Sequence, residues 1–131
     1  MRVYYEDTDA GGIVYYANYV KFFERARTEW LRSLGFGQHA LRQDTGGMFV
    51  VGDMRLRYLR PARLDDELEV SARILDKGRA SLVFAQQIVC GGQLLVEGDI
   101  RVGWVEPLPH NEGLRSRRMP PAVFDRIPEP S

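Results

Sequence analysis

Cysteine is almost missing from this sequence. Cys90 stands alone among 131 residues, so no intrachain disulfide can form. Its neighbours Val83, Phe84, Ile88 and Val89 make it a small buried hydrophobe in a strand. A nucleophilic thiol would need a histidine partner, and only His39 and His110 exist, neither in a cysteine-hydrolase pattern. The same shortage removes the common zinc patterns: there is no CxxC, no HExxH and no histidine pair, so no metal and no cofactor is expected. Charge of one sign is lacking too. Eighteen basic residues balance eighteen acidic ones, which argues against a nucleic-acid or polybasic membrane binder and eases self-association. No apolar run is long enough to cross a bilayer, and the opening residues do not form the apolar core of a signal peptide. The expectation is a cytoplasmic protein with no integral membrane segment. A chain of 15.0 kDa is one domain's worth, large enough to bury a core without covalent staples.

What is present divides by periodicity. Residues 2–6 are rich in Val and Tyr and predict a short strand, followed by a turn through Asp7-Thr8-Asp9-Ala10-Gly11-Gly12. A helix then begins between Ile13 and Asn18. Its apolar face carries Tyr19, Val20, Phe22, Phe23, Ala26, Trp30, Leu31 and Leu34; Lys21, Glu24, Arg25, Arg27, Thr28 and Arg32 fall on the polar side, and Gly35 marks the end. From Met48 the period becomes two. Pro61 stops the first long strand, Leu68, Val70, Ala72 and Ile74 alternate with Glu67, Glu69, Ser71 and Arg73, Asp76-Lys77-Gly78 turns, and Gly91-Gly92 makes a hairpin before the last strand. The prediction is an α+β domain over residues 1–131, with one long helix and a five-stranded antiparallel sheet, the last four strands in a meander. Residues 107–131 read as an extended tail with at most a helical turn near Pro121 to Ile127. Apolar residues on both strand faces, such as Val83 and Val89 opposite Leu82 and Phe84, call for a second subunit.

The chemistry concentrates before the helix. Three carboxylates precede a glycine pair, and the glycines precede the helix start. Unpaired N–H groups and the positive dipole end of a helix polarise a carbonyl oxygen. A carboxylate beside them attacks that carbonyl or activates water to do so, so the parts suit acyl-transfer hydrolysis. On spacing alone, acids decorating a solvated turn account for the same residues. Residues 3–31, however, closely resemble the start of the YbgC-type acyl-CoA thioesterases, relatives of 4-hydroxybenzoyl-CoA thioesterase. The matching motif runs from Tyr5-Glu6-Asp7-Thr8-Asp9 to Tyr19, with Glu24-Arg25-Ala26-Arg27 on the helix. Pro61-Ala62-Arg63-Leu64-Asp65-Asp66, Ser81-Leu82-Val83-Phe84 and Val105-Glu106-Pro107-Leu108 extend it over nearly the whole chain.

That resemblance implies a hotdog fold, a helix wrapped by the antiparallel sheet, built at minimum as a homodimer or as a homotetramer. It implies Asp9 as the catalytic carboxylate and the backbone N–H of Tyr16 as the oxyanion donor. The family usually has histidine where Tyr16 stands, while the 4-hydroxybenzoyl-CoA enzyme has tyrosine, so a backbone role survives the departure. Asp7 and Glu6 read as surface or strand-end groups, and Glu24 as a partner of nearby arginines. Gly12 lets the backbone approach a ligand closely. Arg63, with Arg55, Arg57 and Arg60, and also Lys77 and Arg79 at a turn, are candidates to hold coenzyme A phosphates; solvated strand faces explain each equally well. Arg115, Arg117 and Arg118 offer a basic patch for acyl carrier protein. The expected function is hydrolysis of acyl-CoA or acyl carrier protein thioesters. The alternative is a non-catalytic acyl-binding or scaffold protein; a dehydratase or isomerase would need a motif histidine that is absent.

Overall fold

The computed structural model describes residues 1–9 and 11–130; Ala10, in the turn read from the sequence, lies outside them. Helix α1 (Ala17–Ser33) buries Tyr19, Phe22, Phe23, Arg27 and Leu31. Arg27 is a departure from the polar face assigned to it. Tyr19, Phe23, Arg27 and Leu31 recur every fourth residue and so form one row facing the sheet. Beyond Ser33, Gly35 takes φ +95° and the Phe36 N–H donates back to Leu31 O at 3.0 Å, closing the helix end. A second helix, α2 (Gln38–Thr45), was not foreseen; Leu41 is its only buried apolar side chain among the described residues, too little to show a period.

Six strands follow: β1 (Met48–Tyr58), β2 (Glu69–Val70), β3 (Arg73–Lys77), β4 (Ser81–Cys90), β5 (Gln93–Pro107) and β6 (Leu114–Ser116). All pair antiparallel, in the order β1-β5-β4-β2, with β3 also on β4 and β6 on β5. The expected sheet had five strands, the last four in a meander. Four differences separate it from the observed one, the edge strand β6 among them. Residues 2–6 do not form a strand: Arg2 makes an isolated bridge with Glu67, and Tyr5–Asp7 is one tight helical turn. The alternating segment from Leu68 to Ile74 is split into β2 and β3. Finally, β1 crosses over to pair with β5, leaving its other side open. Gly91 and Gly92, both at positive φ, join β4 to β5 in the predicted hairpin. Cys90 ends β4 and is half-buried, less enclosed than expected.

The core lies between α1 and the inner sheet face. Leu82, Phe84 and Ile88 of β4 and Val96, Ile100, Val102 and Trp104 of β5 are all buried there, and Trp30 meets Phe84 edge-on at 5.1 Å. The outer face carries charge, with Arg57 paired to Glu97 at 3.1 Å and Arg101 near Asp53 at 3.7 Å. The apolar surface left without cover is therefore not the outer face but the open edge of β1, where Val51, Met54 and Tyr58 are exposed.

The tail is more structured than an extended segment. After β6 it forms α3 (Pro121–Phe124) and buries Met119, Val123 and Ile127 against the end of the sheet. Trp104 closes the core beside Gly47, with its Nε1–H donating to Glu106 Oε2 at 2.9 Å. A Cβ at Gly47 would lie 2.6 Å from Trp104 Cε2, inside a ring that is fully buried and has nowhere to move. Gly47→Ala is expected to destabilise the fold by about 1–3 kcal/mol. Gly52→Ala, where the nearest atom is Arg101 O at 3.9 Å, is expected to change the melting temperature far less; equal effects would show that the indole yields.

Candidate active site

The turn before α1 is held by its two aspartates in opposite ways. Asp7 is buried, not a surface group. Its Oδ2 accepts the Tyr4 N–H at 3.0 Å, and its backbone carbonyl accepts both the Tyr15 N–H at 3.1 Å and the Asn18 Nδ2–H at 2.9 Å. This carboxylate draws residues 4–7 into a turn, which is why the Val- and Tyr-rich start does not run on as a strand. Asp9 is exposed. Its Oδ1 accepts the Gly11 N–H at 2.8 Å, its N–H donates to Ile13 O at 3.0 Å, and its carbonyl accepts the Gly12 N–H at 3.1 Å. Gly12 sits at φ +77°, a conformation that side chains resist, and this lets the turn close so tightly.

The turn is stitched to the segment after β1. Gly12 O accepts the Leu64 N–H at 3.0 Å, Ile13 bridges Arg63, and the Val14 N–H donates to Ala62 O at 2.8 Å. The Ala62 N–H in turn donates to the buried Tyr19 hydroxyl at 2.9 Å. Burial raises the Tyr19 pKa, an effect partly countered by that hydrogen bond. So Asp9, Gly12 and Arg63 come together around one turn. Tyr16 stands at the start of α1, with no acceptor for its N–H among the described residues.

An open pocket of about 420 Å³ lies against this turn, lined by Ile13, Val14, Tyr16, Tyr19, Tyr58 and Leu59 among others. Tyr15 stacks on Tyr16 at 5.5 Å, and Tyr58 meets Tyr16 at 5.7 Å and Tyr19 at 5.6 Å. Burial raises the Tyr58 pKa, with the nearby Tyr16 adding to the shift. Tyr58 was not singled out from the sequence; its signal was an aromatic at the end of a strand, just before the Pro61 stop. Asn18 was likewise passed over, although an amide side chain in the first turn of a helix is placed to bond back to the preceding loop.

Lys77 and Arg79 do not join this group. Lys77 pairs with Leu82, whereas β2 meets β4 at Ile88, on the order of 20 Å further along the strand. The Lys77 ammonium is enclosed by the tail. It donates to Ile127 O at 2.7 Å, reaches Glu129 at 3.4 Å and lies 4.0 Å from the centre of the Phe124 ring. In this structure the ammonium anchors the C-terminal segment. Arg79 is exposed, lies 5.9 Å from the same ring, and its carbonyl accepts the Met119 N–H. Glu24 is exposed and has no ion pair among the described residues.

Comparison with known proteins identifies the family. Residues 11–97 match the thioesterase superfamily. The chain is 48% identical over 124 residues to the acyl-CoA thioester hydrolase YbgC of Escherichia coli, covering 94% of this chain and 89% of that protein. It is similar to a probable thioesterase from Bartonella henselae at TM-score 0.82 and 36% identity, over 92% of this chain and 95% of that one. A 4-hydroxybenzoyl-CoA thioesterase solved with its 4-hydroxybenzoyl-CoA ligand superposes at TM-score 0.88 over 98% of this chain and 95% of its own, and at 21% identity speaks for the fold alone. This chain belongs to the thioesterase superfamily and has the hotdog fold.

Proposed function

We propose that the protein hydrolyses acyl-CoA or acyl carrier protein thioesters to free acid and thiol, with Asp9 as the catalytic carboxylate and the Tyr16 backbone N–H as the oxyanion donor. One observation supports this above the others. An exposed carboxylate is fixed by its own turn, and that turn is tied to a helix start beside an apolar pocket. The thioester carbonyl lies against the start of α1, where the N–H stabilises the negative charge that develops on oxygen. Asp9 either attacks the carbonyl carbon, expelling the thiolate and leaving an anhydride that water opens, or takes a proton from the attacking water. Both routes need the carboxylate ionised, and neither requires a metal or cofactor. Arg63, beside the turn and exposed, is the proposed phosphate contact. The proposal places the protein in the cytoplasm, where a lone thiol stays reduced. No helix among the described residues is long and apolar enough to cross a membrane.

A second copy completes the site in this proposal. An 11-residue strand with an unpaired edge and exposed Val51, Met54 and Tyr58 is a template for its own copy. Two β1 edges paired antiparallel about their middle bring the Tyr58 end of one against the Met48 end of the other. The expected species is a homodimer or a dimer of such dimers, seen by mass in solution. A monomer at micromolar concentration with full activity would rule the pairing out.

Asp9→Asn is expected to lower kcat by about 10²-fold or more while leaving the melting temperature nearly unchanged. Asp7→Asn is expected to act on stability, because its carboxylate holds the Tyr4 N–H. If Asp7→Asn abolishes turnover in a folded protein and Asp9→Asn does not, the wrong carboxylate has been chosen. Release of thiol from no acyl-CoA at all would favour the acyl-binding alternative.

Tyr16→Phe separates backbone from side chain. The ring keeps its stacking on Tyr15, so kcat is expected to stay within roughly tenfold of the parent, whereas loss of a true oxyanion donor costs about 10²–10³. A larger fall in a folded variant would assign the role to the hydroxyl.

A further inference from the structure

Arg27 is a buried cation that the reaction described above does not use. It lies mid-helix on the row facing the sheet and is only 7% exposed. Its Nη1 donates to Gln86 Oε1 at 2.9 Å, the one hydrogen bond found for this guanidinium among the described residues. Gln86 is a neutral partner whose own amide donates to Phe23 O at 3.0 Å and Ser71 O at 3.2 Å. No carboxylate lies within ion-pair distance of Arg27 among the described residues. A guanidinium carries five N–H donors. No unpartnered polar side-chain atom is sealed from solvent among the described residues, so the remaining Arg27 donors open onto accessible space.

That space is a groove of about 490 Å³ between α1 and β1. Its walls are apolar, with Leu31, Phe49, Val51, Phe84 and Val102, and Glu24, Thr28 and Arg42 also line it. Two cations against one carboxylate leave the groove net positive. Burial lowers the Arg27 pKa and the Glu24 charge only partly restores it, as expected for a cation short of an anion. Such a group is costly to keep buried, and a carboxylate offers the two parallel acceptors that a guanidinium fork matches.

The groove starts at the Met48 end of β1. The edge pairing proposed above sets that end beside the Tyr58 pocket of the second copy, so an acyl group whose thioester lies at Asp9 and Tyr16 of one subunit extends into the groove of the other. We propose that Arg27 binds the far end of the acyl group, and that the preferred substrates are thioesters whose acyl chain ends in a carboxylate. This inference rests on the proposed hydrolysis and on the β1 pairing.

The test compares ω-carboxyacyl-CoA thioesters of four to ten carbons with the methyl-ended acyl-CoA of equal length. At the length that spans the groove, kcat/KM is expected to favour the carboxylate-ended member by roughly ten- to hundredfold, the worth of a hydrogen bond to a charged group. Arg27→Gln should erase that ratio chiefly through KM, and Arg27→Lys, which keeps the charge but not the fork, should retain part of it. Melting and mass measurements report whether each variant folds and pairs. Should Arg27→Gln fail to fold, the parent's ratio and its competitive inhibition by free dicarboxylates over monocarboxylates decide the matter. Equal or better turnover of methyl-ended thioesters at every length, or an unchanged ratio in folded Arg27→Gln, overturns the inference while leaving hydrolysis intact. No thiol release from any thioester overturns the hydrolytic reading instead, and an active monomer overturns the pairing.

Discussion

The position of the proposed catalytic carboxylate depends on the peptide carbonyl of Asp7. That oxygen accepts from the Tyr15 backbone and the Asn18 side chain, and so fixes the turn to the first residues of α1. Everything outward is a consequence. The Thr8–Val14 bridge closes the loop, Val14 hands on to Ala62, and Ala62 returns to α1 through the Tyr19 hydroxyl. The circuit begins and ends on the helix and encloses the glycines. Asp9 is held from both sides of its own peptide unit, which leaves its carboxylate at the surface with one oxygen committed to Gly11. A hydrogen-bonded circuit of this kind positions a group at little entropic cost during reaction, because its bonds are already made in the resting fold.

Two aspartates two residues apart thus have unlike roles, and spacing alone does not sort them. Period-two reasoning would put Asp7 and Asp9 on one face. The helical turn at Tyr5–Asp7 breaks that period, burying the first and exposing the second. The parts of the fold that were legible rest on long periodic signals: the α1 stripe, the alternation in β1 and β4, and the Gly91-Gly92 hairpin. The parts that were not legible rest on tertiary partners. Helix α2 has only Leu41 to bury, strand β6 exists because the end of β5 offers it a ladder, and the crossover of β1 onto β5 is a choice of neighbour that no local pattern records. At the site, Asp9, Gly12, Tyr16 and Arg63 cluster around one segment. Lys77 lies apart from them, its surroundings set by the tail some fifty residues later.

Having one long helix explains why a single chain looks unfinished. Helix α1 lies over β4 and β2, with Trp30 on Phe84, leaving Val51, Met54 and Tyr58 of the inner face of β1 open. A second helix from the same chain could have filled this space, but α2 is short and meets β1. The open strip and the open edge belong to the same strand, so one contact with a second copy hides both. The charged outer face, with its Arg57–Glu97 and Arg101–Asp53 pairs, has no comparable need of cover.

Arg27 bears on what such a strip is for. It occupies the row Tyr19, Phe23, Arg27, Leu31, where an apolar residue would complete the core at lower cost. A purely structural arginine would be expected to find a carboxylate or several carbonyls; this one has a single glutamine oxygen, while that glutamine spends its own donors on the backbone of α1 and of the β2–β3 connection. The glutamine therefore aims the guanidinium without neutralising it. A hydrocarbon chain alone would gain nothing from a charge held there, and the unpaired donors would remain a cost in the complex as well as in the free protein. An acyl group that carries its own anion removes that cost on binding and imposes it again on any competitor lacking the anion, so the same buried cation that weakens the resting core discriminates between substrates.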